Sequence, residues 1–469
     1  MGLKQQVIKS LGWSTTATLV NTLAQVLRIA ILARLLEASD FGLVAISLAV
    51  VAFCEIFSDL GFTIPLIHKQ DITNKQYSSV FWVNVILSSA IYIILFFIAP
   101  IISKIYAESE LTPIVRIIGL TVVINSLGKI FHTKKQKDLQ FKFLSIVSIS
   151  TCVIGFLTIL FLALKGWGVY SLVYGTIVQI SLRQFVYFIS GMRSSTVSFH
   201  LNFAEIKDFF KIGGYQVCSL ISDFIVSKVD VFILGKMVGM TDLGYYNMAK
   251  EFILKCYGLL STVSKSVMTA ALAKVQNDTF RTGRIYAVYS ELTSYAGLLL
   301  FLFMYLFSSL VSNTMYGGNS IHIEPLFKIL CLYGFFTSLI LPSASLTMAK
   351  GRTDIVFLWT LITAFLSLLF TSLSALYGLY AVVYTQVLIS VLFFVLCWKF
   401  ILNILLDHLS FFNYLSWYHW SILLMIVAFI LIKLFSINNV PLLTLCYALN
   451  VIAVGLIFLK KGLFKYIKN

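Results

Sequence analysis

Long, predominantly apolar runs constrain this chain more than any other feature; Val80–Ile98 and Phe357–Leu376 are two of them. Each is close to the ~20 residues a helix needs to cross a bilayer. Lipid supplies no hydrogen-bond partners, so a spanning backbone must be helical or closed into a barrel. A barrel would show short segments alternating apolar and polar, and these runs do not alternate. Composition agrees: 59% of the 469 residues are hydrophobic and 12% are charged, and mean hydropathy is +0.94. Water could not solvate the surface of such a chain. The expected fold is an all-α polytopic membrane protein with about 14 transmembrane helices.

The formal net charge of +16 invites a nucleic-acid reading, but its distribution excludes one. Lys69 and Lys75 follow the second span, and Lys134, Lys135, Lys137 and Lys142 follow the fourth. Arg193, Lys207 and Lys211 follow the sixth, Lys274, Arg281 and Arg284 the eighth, and Lys350 and Arg352 the tenth. Lysines also open and close the chain, whereas the alternate connections carry isolated cations such as Arg34, Lys104, Lys165 and Lys236. This is the positive-inside pattern, with both termini cytoplasmic and an even number of spans. The start, MGLKQQVIKS, leads into a span with no small-residue cleavage site, so an uncleaved first helix is expected. Seven cysteines fall within apolar runs, none in a CxxC pair or beside a histidine at ligand spacing. They read as small buried hydrophobes, and no metal site or cofactor is expected.

A self-similarity runs through the order of the spans. Gly12-Trp13 matches Gly214-Tyr215 at an offset of 214 − 12 = 202. At the same offset Ile31-Leu32-Ala33-Arg34 meets Ile233-Leu234-Gly235-Lys236, and Asp40-Phe41-Gly42 meets Asp242-Leu243-Gly244. Later, Gly168–Tyr174 meets Gly378–Tyr384. Two copies of a six-helix unit are expected in the same orientation, with two further helices appended. Residues 1–200 would form the first lobe, 201–408 the second, and 409–469 the additional pair. No connection outside the cytoplasm is long enough to fold as an enzyme domain.

Ionisable side chains inside spans cost about 2.5–3.5 kcal/mol each by insertion scales, so they face a cavity or one another. The first span carries Arg28, the seventh Asp223, Lys228 and Asp230, the eighth Lys250, Glu251 and Lys255, and the ninth Glu291. Asp223, Ser227 and Asp230 share a helical face by spacing. Glu251 and Lys255 stand at i, i+4, in the favourable order for a local pair. The cations Arg28, Lys228, Lys250 and Lys255 suit a phosphate or pyrophosphate head group. Arg28 and Asp230 are equivalent positions of the two repeats (28 + 202 = 230), and an ion pair between them would close one access state. Asp223, Glu251 and Glu291 are the remaining candidates for gating or ion pairing. Glu55, Asp59, Lys265 and Arg183 are placed either inside or at the headgroup region. Tyr170, Tyr174, Tyr380 and Tyr384 recur at i, i+4 in the matched segments, as stacking faces for sugars or as interfacial anchors.

Two segments carry a family resemblance. One is Arg28-x5-Arg34-Leu35-Leu36-x3-Asp40-Phe41-Gly42; the other is Asp230-Val-Phe-Ile-Leu-Gly235-x8-Gly244-Tyr-Tyr-Asn-Met-Ala249. With the duplication and the span count, they resemble the polysaccharide transporter family of the multidrug/oligosaccharidyl-lipid/polysaccharide exporter superfamily. Within it the likeness is greatest to flippases of the colanic-acid and teichuronic-acid type. The resemblance implies a carrier, not an enzyme, that turns undecaprenyl-pyrophosphate-linked oligosaccharides from the cytoplasmic to the outer leaflet. It further implies a bacterial cytoplasmic membrane, lipopolysaccharide or exopolysaccharide synthesis, proton or Na⁺ coupling, and contact with membrane lipids and other polysaccharide-assembly proteins. Arg28 and Asp230 match family positions. Lys250-Glu251 after Asn247-Met-Ala is a departure from them. The alternative on the same fold is a cation-coupled drug antiporter using Asp223, Asp230, Glu251 or Glu291, and the cation surplus argues against cationic cargo. A membrane polymerase or acyltransferase would need catalytic groups in sizeable loops, and His132, His200 and His322 are scattered.

Overall fold

The computed structural model describes residues 3–69, 72–194, 198–273, 275, 278–406, 409–435 and 440–461. Lys274, Lys465 and Lys468 lie outside the described residues, as do the side chains of Lys211, Tyr215, Lys460 and Lys461. Every regular element among the described residues is helical. In chain order these are α1 (Leu3–Leu32), α2 (Ala38–Asp59), α3 (Thr63–His68), α4 (Asn74–Tyr106), α5 (Leu111–Lys137), α6 (Phe141–Leu164) and α7 (Val169–Ser194). A short 3₁₀ turn (Phe203–Ile206) precedes α8 (Lys207–Met237), α9 (Met240–Ala273), α10 (Thr279–Leu306), α11 (Ser308–Tyr316), α12 (Ser320–Leu339) and α13 (Leu341–Ala349). Then follow α14 (Thr353–Ala375), α15 (Leu379–Cys397), α16 (Asn403–Leu405), α17 (Phe411–Ser416), α18 (His419–Phe435) and α19 (Val440–Lys461).

Among the described residues ten helical segments are long and apolar enough to cross a membrane, and two shorter apolar helices lie within α18 and α19. The chain is a multi-pass helical membrane protein. α8 and α9, of 31 and 34 residues, have the length of a span but are not among the ten. Three expected spans are interrupted. The tenth splits into α12 and α13 where Pro342, with no N–H to give, opens a new first turn. The ninth breaks at Phe307 between α10 and α11. The twelfth continues from α15 into a π-helical segment, Trp398–Leu402.

Two compact units divide the chain, residues 1–248 and 249–469. In the first, α5 packs on α2, α4 and α7, while α6 packs on α1 and α7. Phe81, Phe131 and Phe188 meet in its core, with ring centroids 5.8 Å apart for Phe131 against each of the other two. In the second unit α12 packs on α10 and α15, and α18 and α19 both pack on α10. The Tyr414 hydroxyl donates to the Phe394 carbonyl at 3.0 Å. Lys350 Nζ donates to the Leu405 carbonyl at 2.8 Å, taking up one of the acceptors left at a helix end.

The matched Asp-x-Gly segments have a physical basis. Asp40 and Asp242 each occupy the third position of their helix, α2 and α9, where a carboxylate complements the helix N-terminus. Asp40 closes a capping box, accepting from the Glu37 backbone N–H at 3.3 Å. The glycines permit close approach. A Cβ at Gly42 would lie 2.1 Å from the Met240 carbonyl oxygen, and one at Gly244 would lie 1.8 Å from that of Ala38. Both pairs of equivalents obey the repeat offset, 244 − 42 = 202 and 240 − 38 = 202. The start of α2 and the start of α9 thus grip each other reciprocally, backbone to backbone.

Candidate functional site

A polar cavity of about 490 Å³ opens within the first unit, walled by α1, α2, α5, α6 and α7. α5 supplies Asn125, Lys129, His132 and Gln136, spaced i, i+4, i+7, i+11 along one face. That face runs about 16 Å along the helix axis at ~1.5 Å per residue. α1 contributes Ser14, Thr18 and Asn21, and α2 contributes Glu55 and Ser58. Ser145 and Ser148 come from α6, and Arg183, Gln184 and Tyr187 from α7.

Hydrogen bonds fix these walls to one another. Gln184 Nε2 of α7 donates to Asn125 Oδ1 of α5 at 2.7 Å, and Asn125 Nδ2 donates to Glu55 Oε1 of α2. Lys129 of α5 pairs with Asp59 of α2 at 3.2 Å, and Thr63 Oγ1 donates to the same carboxylate at 3.1 Å. Asn21 Nδ2 of α1 donates to Ser148 Oγ of α6 at 2.8 Å. Glu55 lies within electrostatic reach of Lys129, Arg183 and Asp59. Glu55 and Asp59 thus bond inward to α5, and Arg183 lines the same cavity. Asn125, Lys129 and Gln184 were not singled out; the polar i, i+4, i+7 stripe on α5 was the signal that could have found Asn125 and Lys129, and nothing comparable marks Gln184 on α7.

Gly128 sets the α5–α7 seam beside this network. A Cβ there would fall 2.2 Å from Gln184 Oε1 and 2.8 Å from the Gln184 carbonyl oxygen. Gly128→Ala is therefore expected to push α7 away, break the Gln184–Asn125–Glu55 chain and destabilise the protein by about 1–3 kcal/mol. A thermal unfolding series in detergent checks this, and an unshifted midpoint would contradict it.

The sequence-derived candidates are dispersed. In the first unit Arg28 is half-buried on α1, and its charge, like that of Arg183, acts on Cys152 of α6. Asp230 is fully buried and accepts from the Tyr246 hydroxyl of α9. Asp223 and Ser227 are exposed and Lys228 is half-buried, so the face predicted for Asp223, Ser227 and Asp230 changes environment along its length. Tyr170 and Tyr174 have ring centroids 6.2 Å apart, and Tyr174 packs edge-on against Trp167.

In the second unit Lys250 is buried on α9, and Lys255 lies 3.6 Å from Glu251, the local pair their spacing suggested. Glu291 is buried on α10 and accepts from Tyr295 Oη at 3.1 Å. Tyr380 and Tyr384 are exposed on α15. Among the cysteines Cys152, Cys331 and Cys397 are buried, but Cys218 is exposed, contrary to the uniform burial expected. No group of three or more metal-ligating side chains occurs among the described residues.

Comparison with known proteins places this architecture. The chain is 25% identical over 361 residues to the teichuronic acid biosynthesis protein TuaB of Bacillus subtilis (strain 168), covering 76% of this chain and 74% of that protein. It is 24% identical over 371 residues to the lipopolysaccharide biosynthesis protein WzxC of Escherichia coli (strain K12), covering 78% and 74%. Among solved structures it superposes on the lipid II flippase MurJ, in an inward closed conformation, with a TM-score of 0.76. That match covers 97% of this chain and 99% of MurJ at 16% identity, a likeness of fold. The model of the polysaccharide biosynthesis protein family matches residues 31–323. With more than half of its length matched and its helices arranged in that fold, the chain belongs to the polysaccharide biosynthesis protein family.

Proposed function

We propose that this protein is a carrier that moves a lipid-linked oligosaccharide from the cytoplasmic to the outer leaflet of a bacterial cytoplasmic membrane, for surface polysaccharide assembly. The observation that carries the reading is the cavity of about 490 Å³, walled by hydroxyl, amide and paired charged groups inside a bundle of apolar, span-length helices. Polar groups at that depth cost free energy unless their partners are polar too. A polyhydroxylated head group is a partner of that kind, while its hydrocarbon tail remains in lipid. The names of relatives sharing about three quarters of the chain, for teichuronic acid and lipopolysaccharide biosynthesis, point to the same class of cargo.

The finer assignments follow from this reading. Undecaprenyl pyrophosphate is the lipid carrier that the family resemblance implies. Arg28 and Lys228, with Lys250 and Lys255, offer positive charge to the diphosphate. Asp223, Asp230, Glu251 and Glu291 serve gating or coupling to protons or Na⁺, and Tyr170, Tyr174, Tyr380 and Tyr384 offer sugar-stacking surfaces. Both termini are cytoplasmic, as the alternation of Lys and Arg between connections requires. Transport proceeds by alternating access of two repeats, residues 1–200 and 201–408, with 409–469 appended. A drug antiporter on the same fold is not favoured, because the cavity presents no excess of carboxylate for a cationic cargo.

A strain deleted for the gene, in the organism that makes the cognate polysaccharide, tests the reading. Lipid-linked repeat units should accumulate in the cytoplasmic leaflet. Delivery to the outer leaflet at the normal rate would overturn it.

A further inference from the structure

We propose that the cavity of the first unit is selective, taking an uncharged, hydroxyl-donating sugar residue of the cargo and rejecting acidic sugars and the diphosphate. The inference rests on the transport reading and narrows its substrate. Charge balance is its ground. Two cations line the cavity among carboxylates: Lys129 lies 3.2 Å from Asp59, and Glu55 lies within electrostatic reach of both Lys129 and Arg183. An anionic guest would have to displace Asp59 from Lys129 or lie partly desolvated beside two like charges. A cationic guest meets the same obstacle with the sign reversed.

The neutral groups left over describe the guest. Asn21 commits its Nδ2 to Ser148 and holds its Oδ1 buried without a hydrogen-bond partner. An acceptor in that state calls for a donor. An uncharged guest supplies one through a hydroxyl or an amide N–H. Ser14 adds a hydroxyl that both donates and accepts, Ser58 adds an acceptor because its proton goes to the Glu55 carbonyl, and the rings of Tyr187 and Phe141 give the apolar faces of a sugar something to rest on. The volume is in the range of small-molecule sites.

The test uses the full-length protein in nanodiscs at pH 8, where free imidazole is uncharged. Calorimetry compares chitotriose, a neutral trisaccharide bearing hydroxyls and amide N–H groups, with a trisaccharide of glucuronic acid. Chitotriose should bind at least about tenfold tighter, a difference of about 1.4 kcal/mol. Asn21→Leu should weaken chitotriose at least about tenfold. Asp59→Asn, which leaves Lys129 without its carboxylate, should shrink the neutral-to-acidic preference by a similar factor. Ser148→Ala, which frees the Asn21 amide, stands in if Asn21→Leu does not fold by thermal unfolding. Equal or tighter binding of the acidic probe, a preference unmoved by Asp59→Asn, chitotriose binding unmoved by the Asn21 or Ser148 change, or binding of neither probe would each overturn the inference. Lipid-linked cargo is followed in the same preparation. Transport without the preference removes this inference alone, whereas the preference without transport removes the transport reading and leaves a saccharide site standing.

Discussion

Alanine at Gly42 or at Gly244 is expected to destabilise the protein by about 1–3 kcal/mol, valine by more, and either to stop transport. Even one methyl group would sit 2.1 Å from the Met240 carbonyl oxygen or 1.8 Å from that of Ala38, far inside van der Waals contact. The obstacle in both cases is backbone, which cannot swing aside as a side chain would. The start of α2 must therefore move away from the start of α9. Because both substitutions pry open the same contact, the double variant should cost clearly less than the sum of the singles. Thermal unfolding of the two singles and the double checks this. Strict additivity, or no effect of either single, would show that the two glycines do not form one reciprocal contact.

Arg28→Asp is the second large effect. Asp230 is completely buried and holds the Tyr246 hydroxyl, on a helix start tied to α2 through Gly42 and Gly244. If Arg28 is its partner in the closed state of the transport cycle, a carboxylate at position 28 leaves two like charges in place of a pair. Breaking such a pair costs about 3–5 kcal/mol, enough to lower transport by at least about tenfold. Adding Asp230→Arg restores the opposite charges with their order reversed and should recover part of the activity. A double variant no better than Arg28→Asp would count against the pairing. Transport is measured in cells lacking the native gene, with the amount of protein in the membrane as the control.

The helices were largely legible because long apolar runs have one solution in lipid. The breaks within them were less so. Pro342 opens α13, but Pro100 and Pro325 lie inside α4 and α12, so a proline alone does not mark a break. The break at Phe307 and the π-helical segment at Trp398–Leu402 carry no punctuation at all. The Asp40-Phe41-Gly42 and Asp242-Leu243-Gly244 segments were visible as a repeat. That their glycines touch each other's helix is a fact of three dimensions that no spacing along the chain contains. The cavity illustrates the same limit. Glu55, Asp59 and Arg183 stood out as charges in apolar runs, but a charge near the end of a span can equally well reach the headgroups. In three dimensions Glu55 accepts from Asn125 and Asp59 pairs with Lys129, both on the facing helix α5, contacts that no spacing along the chain reveals. α8 and α9 were recognisable as charged spans from the outset, whereas the burial of Asp230, which meets Tyr246 of α9, against the exposure of Asp223 is legible only in three dimensions.

Reconstitution into liposomes measures transport most directly. Purified protein is placed in vesicles that carry a fluorescent lipid-linked oligosaccharide in the inner leaflet, and the appearance of its sugar outside is followed with an impermeant glycosidase. Wild-type protein should expose the sugar well above the protein-free rate, and Gly42→Val protein should not. Sugar exposure equal in vesicles with and without the wild-type protein would contradict the assignment of this chain as a carrier of lipid-linked sugars.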